Sequence, residues 1–159
     1  MQKGFEQEKP TLVEALPAMG KSYGIIKWAK ESGSPLSVFT SREQLFDQYE
    51  DWCDDWGLSY RSLPAFHRAC NTIDEDADNW EERGTFEKEL LEVYNSGISG
   101  AQIHENPQRY FGQQLPCQED GPCPYMEKRE FDPDAYDVLF GHYLQAHNRK
   151  YIEDRYVAF

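Results

Sequence analysis

The sequence predicts an α/β fold in which a mostly parallel sheet is interrupted by a helical, cysteine-containing insertion. Short apolar runs alternate with helical periodicity over the first 63 residues. The alternation fails across an acidic middle that ends in a Pro-, Gly- and Cys-rich loop, and it resumes after Asp132. The expected division is 1–63 for the first part of the core, 64–128 for the insertion and 129–159 for the return to the core.

Thr11 to Leu16 (TLVEAL) reads as a short strand, PAMG breaks the chain, and KSYGIIKWAKES (21–32) reads as a helix. After the turn GSP, LSVFT (36–40) is a second strand. In the following run Leu45, Phe46, Tyr49 and Trp52 recur at three- and four-residue spacing, so it is a helix, and Gly57 closes it. LSYRSL (58–63) reads as a third strand, giving β-α-β-α-β. Residues 67–79 read as irregular, and 80–111 as two helices separated by NSGISG. QQLPCQEDGPCPY (113–125) is too rich in Pro and Gly for regular structure and needs some other tie. YDVLFG (136–141) reads as a strand, HYLQAHNRKYIED (142–154) as a helix and RYVAF (155–159) as a last strand.

The chain has 159 residues, enough for one domain with a real core. Its 29 acidic and 16 basic residues leave a net charge of -13, which disfavours generic binding to a phosphate backbone. Such a surface fits either a halophilic protein from high-salt cytoplasm or a protein that never meets nucleic acid. No apolar run approaches the roughly 18–20 residues of a membrane span, and the N-terminus has no signal-peptide core, so the expected location is cytoplasmic and no membrane partner is expected. In that compartment four cysteines point away from disulfides and toward a metal, a cluster or plain burial.

Ala15 to Ser22 (ALPAMGKS) fits the relaxed phosphate-loop pattern, with Ala15 in place of the first glycine. In that reading the backbone of Pro17, Ala18, Met19 and Gly20 wraps the phosphates of ATP, Lys21 neutralises them and the Ser22 hydroxyl reaches Mg²⁺. Gly20 lets the backbone approach closely. The plainer alternative is an ordinary strand-to-helix turn with a surface lysine.

VEALPAMGKS, VFTSREQLFDQ, CPYM (123–126) and YDVLFGHY (136–143) occur in an order that resembles the iron–sulfur superfamily-2 DNA helicases of the XPD/DinG type. The resemblance implies a partial RecA-like P-loop NTPase lobe. It implies single-stranded DNA contacts at Thr40, Ser41 and Gln44, where the alternative is a capped helix start. It also implies a 4Fe–4S cluster in the insertion, with Cys70, Cys117 and Cys123 where ligands are expected. Cys53 is the remaining cysteine, either a fourth ligand or a small buried residue on a helix face. A three-thiolate site completed by His67 or His104 would suit Zn²⁺ better. His142 and His147 read as packing residues.

Hydrolysis in this fold needs a Walker B acid and an arginine from a second lobe. Asp137 and Asp154 are poor substitutes for that acid, and Phe159 ends the strand that would precede it. The expectation is therefore an ATP-binding helicase fragment that is inactive alone and that pairs with a second motor lobe or another protein. A non-catalytic, metal-stabilised interaction module with a vestigial phosphate loop is the alternative. A small-molecule phosphotransferase is a third reading, for which the sequence offers no clear base.

Overall fold

The computed structural model describes residues 20–73, 80–119 and 121–159. The expected strand 11–16 and the loop positions Ala15, Pro17, Ala18 and Met19 lie outside the described residues. The chain divides into two compact units, one ending at Leu63 and completed by Asp132–Phe159, the other Pro64–Phe131. No helix among the described residues is long and apolar enough to cross a membrane.

The first unit is α/β. Strands β1 (Leu36–Thr40), β2 (Tyr60–Ser62), β3 (Val138–His142) and β4 (Tyr156–Ala158) form a parallel sheet in the order β2-β3-β1-β4. Parallel strands covered on both faces read as continuous apolar runs rather than alternating ones, and LSVFT and VLFGH are such runs. The pleat sorts them. Leu36, Val38, Val138, Phe140 and Ala158 pack with Ile26, Trp28 and Ala29 of helix α1 (Lys21–Ser32) and Tyr49 and Cys53 of helix α2 (Phe46–Trp56). Trp28 meets Tyr156 edge-on, with ring centroids 4.8 Å apart. Gly57 closes α2 with a φ of 60°, and its N–H donates to the last carbonyls of the helix.

Ser37 lies on the other side of β1 and is fully buried. Its hydroxyl donates to the Tyr151 carbonyl at 2.6 Å and accepts from Arg155 Nε at 3.0 Å. Gly141 sits where a Cβ would come within 2.7 Å of Leu63, 2.9 Å of Gln145 and 3.1 Å of Phe39, so any larger residue there would have to displace these side chains.

The second unit holds helices α3 (Phe66–Ala69), α4 (Trp80–Asn95), α5 (Gly100–Glu105), α6 (Pro107–Phe111) and α7 (Pro124–Arg129). Its core includes Phe66, Ile73, Leu90, Ile103, Leu115 and Tyr125.

Three expectations need correction. The helix expected over 142–154 is absent; two 3-10 turns, Tyr143–Gln145 and Arg149–Tyr151, stand in its place. His142 and Asn148 cause this, because their side chains accept from the N–H groups of Leu144 and Lys150 and offer the backbone an alternative to the helix ladder. The stretch 80–111 contains three helices rather than two, since Pro107 has no N–H and pushes Asn106 out of helical geometry (φ −136°, ψ 50°). The loop 113–125 contains a 3-10 turn at Pro116–Gln118 and the start of α7, each opened by a proline whose fixed φ suits a first helical position.

Candidate metal centre

Four side chains of the second unit converge: Cys70, His104, Cys117 and Cys123, whose ligand atoms all lie within 4.8 Å of one another. Each comes from an element terminus or a short turn. Cys70 ends α3, where its N–H donates to the Phe66 carbonyl at 3.1 Å. His104 is on α5, whose start is fixed by a capping box: Ser99 Oγ accepts from the Gln102 N–H, and the Gln102 side chain accepts from the Ser99 N–H. Cys117 lies in the 3-10 turn after Leu115, and its N–H donates to the buried Thr72 hydroxyl at 3.1 Å. Cys123 caps α7, with Pro124 in the first helical position.

Cys70 Sγ and Cys117 Sγ are 3.7 Å apart, and each is 3.4 Å from His104 Nε2. His104 Nδ1 is 2.7 Å from the Gly100 carbonyl. A carbonyl only accepts, so Nδ1 carries a proton and Nε2 faces the sulfurs, where it offers a lone pair to a metal once its own proton is expelled. This is the outer-shell bond that orients ligating histidines. Cys70, His104 and Cys123 are buried and Cys117 is half-buried. Phe66 stands edge-on to the His104 ring at 5.7 Å and meets Tyr125 at 5.3 Å, which keeps the centre in an apolar surround. A Cβ on Gly100 would fall 2.6 Å from the Phe66 ring, so this residue leaves room for that wall.

The electrostatics fit a centre made for a cation. Burial alone would lower the His104 pKa, but hydrogen bonds with Cys117 and Cys123 and with the Gly100 carbonyl outweigh it and push it up to about 9. Hydrogen bonds from Cys117 and Cys70 hold the Cys123 thiol well below the usual range. Hydrogen bonds with Cys117 and Cys123, together with burial, push the Cys70 thiol up. A bound divalent ion would supply the positive charge that these crowded sulfurs lack and would expel the protons.

No family model, curated protein or solved structure matches this chain. The chemistry of the site therefore rests on its geometry.

Cys53 does not join the cluster. It lies on α2 in the core of the sheet unit, fully buried, and burial together with the charges of Asp54, Asp137 and Glu50 pushes its thiol up to about 12. Of the two histidines considered, His104 is in the cluster, whereas His67 is exposed on α3. The signal that separates them is local. His104 is four residues from Gly100 on a capped helix whose neighbours Ala101 and Ile103 are buried. Thr72, which orients Cys117, carries no sequence signal.

Lys21 and Ser22 are the first residues of α1, and Gly20 precedes them in the left-handed region (φ 67°). Tyr49 donates to the Ser22 hydroxyl at 3.3 Å. Thr40 ends β1, where its hydroxyl accepts from the Arg42 N–H at 3.1 Å. Ser41 and Gln44 are exposed, Gln44 within the 3-10 turn Glu43–Leu45. Neither Thr40 nor Ser41 caps α2, whose N-cap is Leu45 without a side-chain bond. Asp137 accepts from the Ser59 N–H and hydroxyl at 2.8 and 2.7 Å, tying the entries to β2 and β3. Asp154 occupies a turn with φ 56°. His142 caps the 3-10 turn after β3.

Proposed function

We propose that this chain binds a metal centre through Cys70, His104, Cys117 and Cys123, and that the centre holds the helical insertion in its fold. The single observation that carries this is the convergence of three sulfurs and an oriented imidazole nitrogen within 4.8 Å. Crowded thiols without a cation cost free energy, whereas an ion bound only in the folded state contributes its binding energy to folding. For structural zinc in small peptides that energy is about 10–16 kcal/mol. It is comparable with the whole stability of an ordinary domain, about 5–15 kcal/mol.

Elemental analysis of the purified chain tests the reading. The wild type should carry stoichiometric metal, and Cys123→Ser should lose most of it and lose hydrogen-exchange protection over residues 64–131. Equal metal in both proteins would overturn the assignment.

The sheet unit is proposed to be a partial ATP-binding lobe of the helicase type. Lys21 would neutralise phosphate, the leading N–H groups of α1 would face it, and the Ser22 hydroxyl would exchange Tyr49 for Mg²⁺. Thr40, Ser41 and Gln44 would face single-stranded DNA. No hydrolytic step is proposed, because Asp137 is committed to Ser59. The bond from Tyr49 to Ser22 favours a second reading, an interaction module whose phosphate loop holds no nucleotide. Calorimetry with Mg·ATP separates them. The lobe reading expects wild-type binding that Lys21→Ala abolishes; no wild-type heat selects the module, and equal affinity in both proteins removes Lys21 from the site.

A further inference from the structure

The resemblance to iron–sulfur helicases implies a four-iron cube, and the spacing of the ligands in this chain does not fit one. In a cube each cysteine sulfur projects outward from its own iron, so the ligating sulfurs lie roughly 6 Å apart. Here no pair of the four ligand atoms is separated by more than 4.8 Å. Four ligands around a single ion make a smaller figure. With metal–sulfur bonds of about 2.3 Å and metal–nitrogen bonds of about 2.0 Å, a regular tetrahedron has S···S edges of about 3.8 Å and S···N edges of about 3.5 Å. Three of the six edges match this figure directly, 3.7 Å between Cys70 and Cys117 and 3.4 Å from each of them to His104 Nε2, and the three edges to Cys123 stay within 4.8 Å.

We infer that Cys70, Cys117, Cys123 and His104 hold one tetrahedral Zn²⁺ through three Sγ atoms and Nε2, and that the site is closed and structural. This rests on the metal-binding reading above and deepens it. Thiolate and imidazole donors discriminate against Mg²⁺ and Ca²⁺, which take oxygen ligands. Among Mn²⁺, Fe²⁺, Co²⁺, Ni²⁺ and Zn²⁺, a tetrahedral S₃N set suits zinc because its filled d shell imposes no competing geometry. Four protein ligands complete the tetrahedron and leave no open position for water or substrate, the mark of a structural rather than a catalytic zinc.

The spacing is built in. Expanding it to a cube would move each ligand by an ångström or more against its anchor. Those anchors are the Phe66 carbonyl on the Cys70 N–H, Thr72 on the Cys117 N–H, Gly100 on the His104 ring and the start of α7 at Cys123.

The test uses the full chain, expressed with both iron and zinc supplied and purified anaerobically. Zinc, iron and acid-labile sulfide are measured, and the site is then reloaded with Co²⁺. The expected result is a colourless protein with about one zinc per chain and no labile sulfide, whose Co²⁺ form shows intense tetrahedral d–d bands and thiolate charge transfer. His104→Ala should weaken those d–d bands; should that variant not fold, the wild-type spectrum decides. Iron with labile sulfide, a single iron without sulfide, or a six-coordinate Co²⁺ spectrum would overturn the inference. Iron–sulfur content that Cys123→Ser abolishes would leave the metal-binding reading standing and sink only the zinc, whereas absence of any metal would sink both.

Discussion

Cysteine chemistry in this chain is decided by surroundings, since four identical side chains fall into two opposed environments. Cys53 faces Ile26, Tyr49 and Phe140 on the packed side of the sheet, with acidic neighbours at 50 and 54, and both burial and charge disfavour its thiolate. With its pKa raised to about 12, roughly one Cys53 in 10⁴ is ionised at pH 8, and only the thiolate attacks an alkylating reagent. Iodoacetamide at pH 8 should therefore leave Cys53 unmodified in the folded protein and label it readily in urea, as read by peptide mass spectrometry. Equal labelling in both conditions would contradict the environment described. The linkage has a definite sign. The unfolded thiol ionises near 9.0 and the folded one near 12, so burial of the protonated form favours the native state below pH 9 and is lost as pH rises through that window. Sequence position alone left Cys53 a candidate ligand, because spacing does not reveal which side of a helix enters which core. Cys117 and Cys123 were legible as candidates from their Pro/Gly-rich loop, which needs a tie, whereas Cys70 was a candidate only through the resemblance to the iron–sulfur helicases. His104 was left open beside His67, although the capping box at Ser99 and the small and apolar residues Gly100, Ala101 and Ile103 of α5 are the local signal that separates the two.

At the scale of the element, legibility followed the strength of local signals. The runs LSVFT and YDVLFG are short, largely apolar stretches, and they contain β1 and most of β3. Periodic apolar positions and Gly57 gave the body and end of α2. The same reasoning failed over 142–154, which reads as a helix from sequence alone. Only Tyr151 is fully buried, while Tyr143 and Leu144 are half exposed, so no continuous apolar stripe forms to reward a helix. The side chains of His142 and Asn148 then decide the local contest in favour of separate turns. In the insertion the prolines at 107, 116 and 124 mark the starts of helical turns, although they had suggested only interruption at 116 and 124. A proline read as a breaker was in these places an initiator.

At the scale of the whole molecule, strand and helix alternation indicated a parallel sheet but not the order β2-β3-β1-β4. That order depends on contacts more than a hundred residues apart, and Arg155 makes two of them, to Ser37 and Leu36. The residue is buried, with only 8 % of its surface exposed. It is nevertheless well paired. Nε donates to Ser37 Oγ, Nη1 to the carbonyls of Pro133 and Tyr136, and Nη2 to those of Leu36 and Asp137, at 2.9 to 3.1 Å. One planar group thus joins the start of β1, the approach to β3 and the approach to β4, and all five acceptors are neutral. Burial pulls the Arg155 pKa down, with Asp134 and Asp137 opposing, and guanidinium remains charged at any ordinary pH. A lysine at this place has three donors on one atom and cannot reach acceptors spread around a fork, so at least two carbonyls would lose their partner in a buried setting. Each such loss costs about 1–3 kcal/mol. Arg155→Lys should accordingly destabilise the chain by about 2–5 kcal/mol despite conserving charge, and Arg155→Met should cost at least as much, because it strands all five acceptors. Urea unfolding followed by tryptophan fluorescence, with the metal content of each protein held equal, measures both. If Arg155→Lys unfolds within about 0.5 kcal/mol of the wild type, the range of an ordinary surface change, the guanidinium is not the joint that sets the strand order.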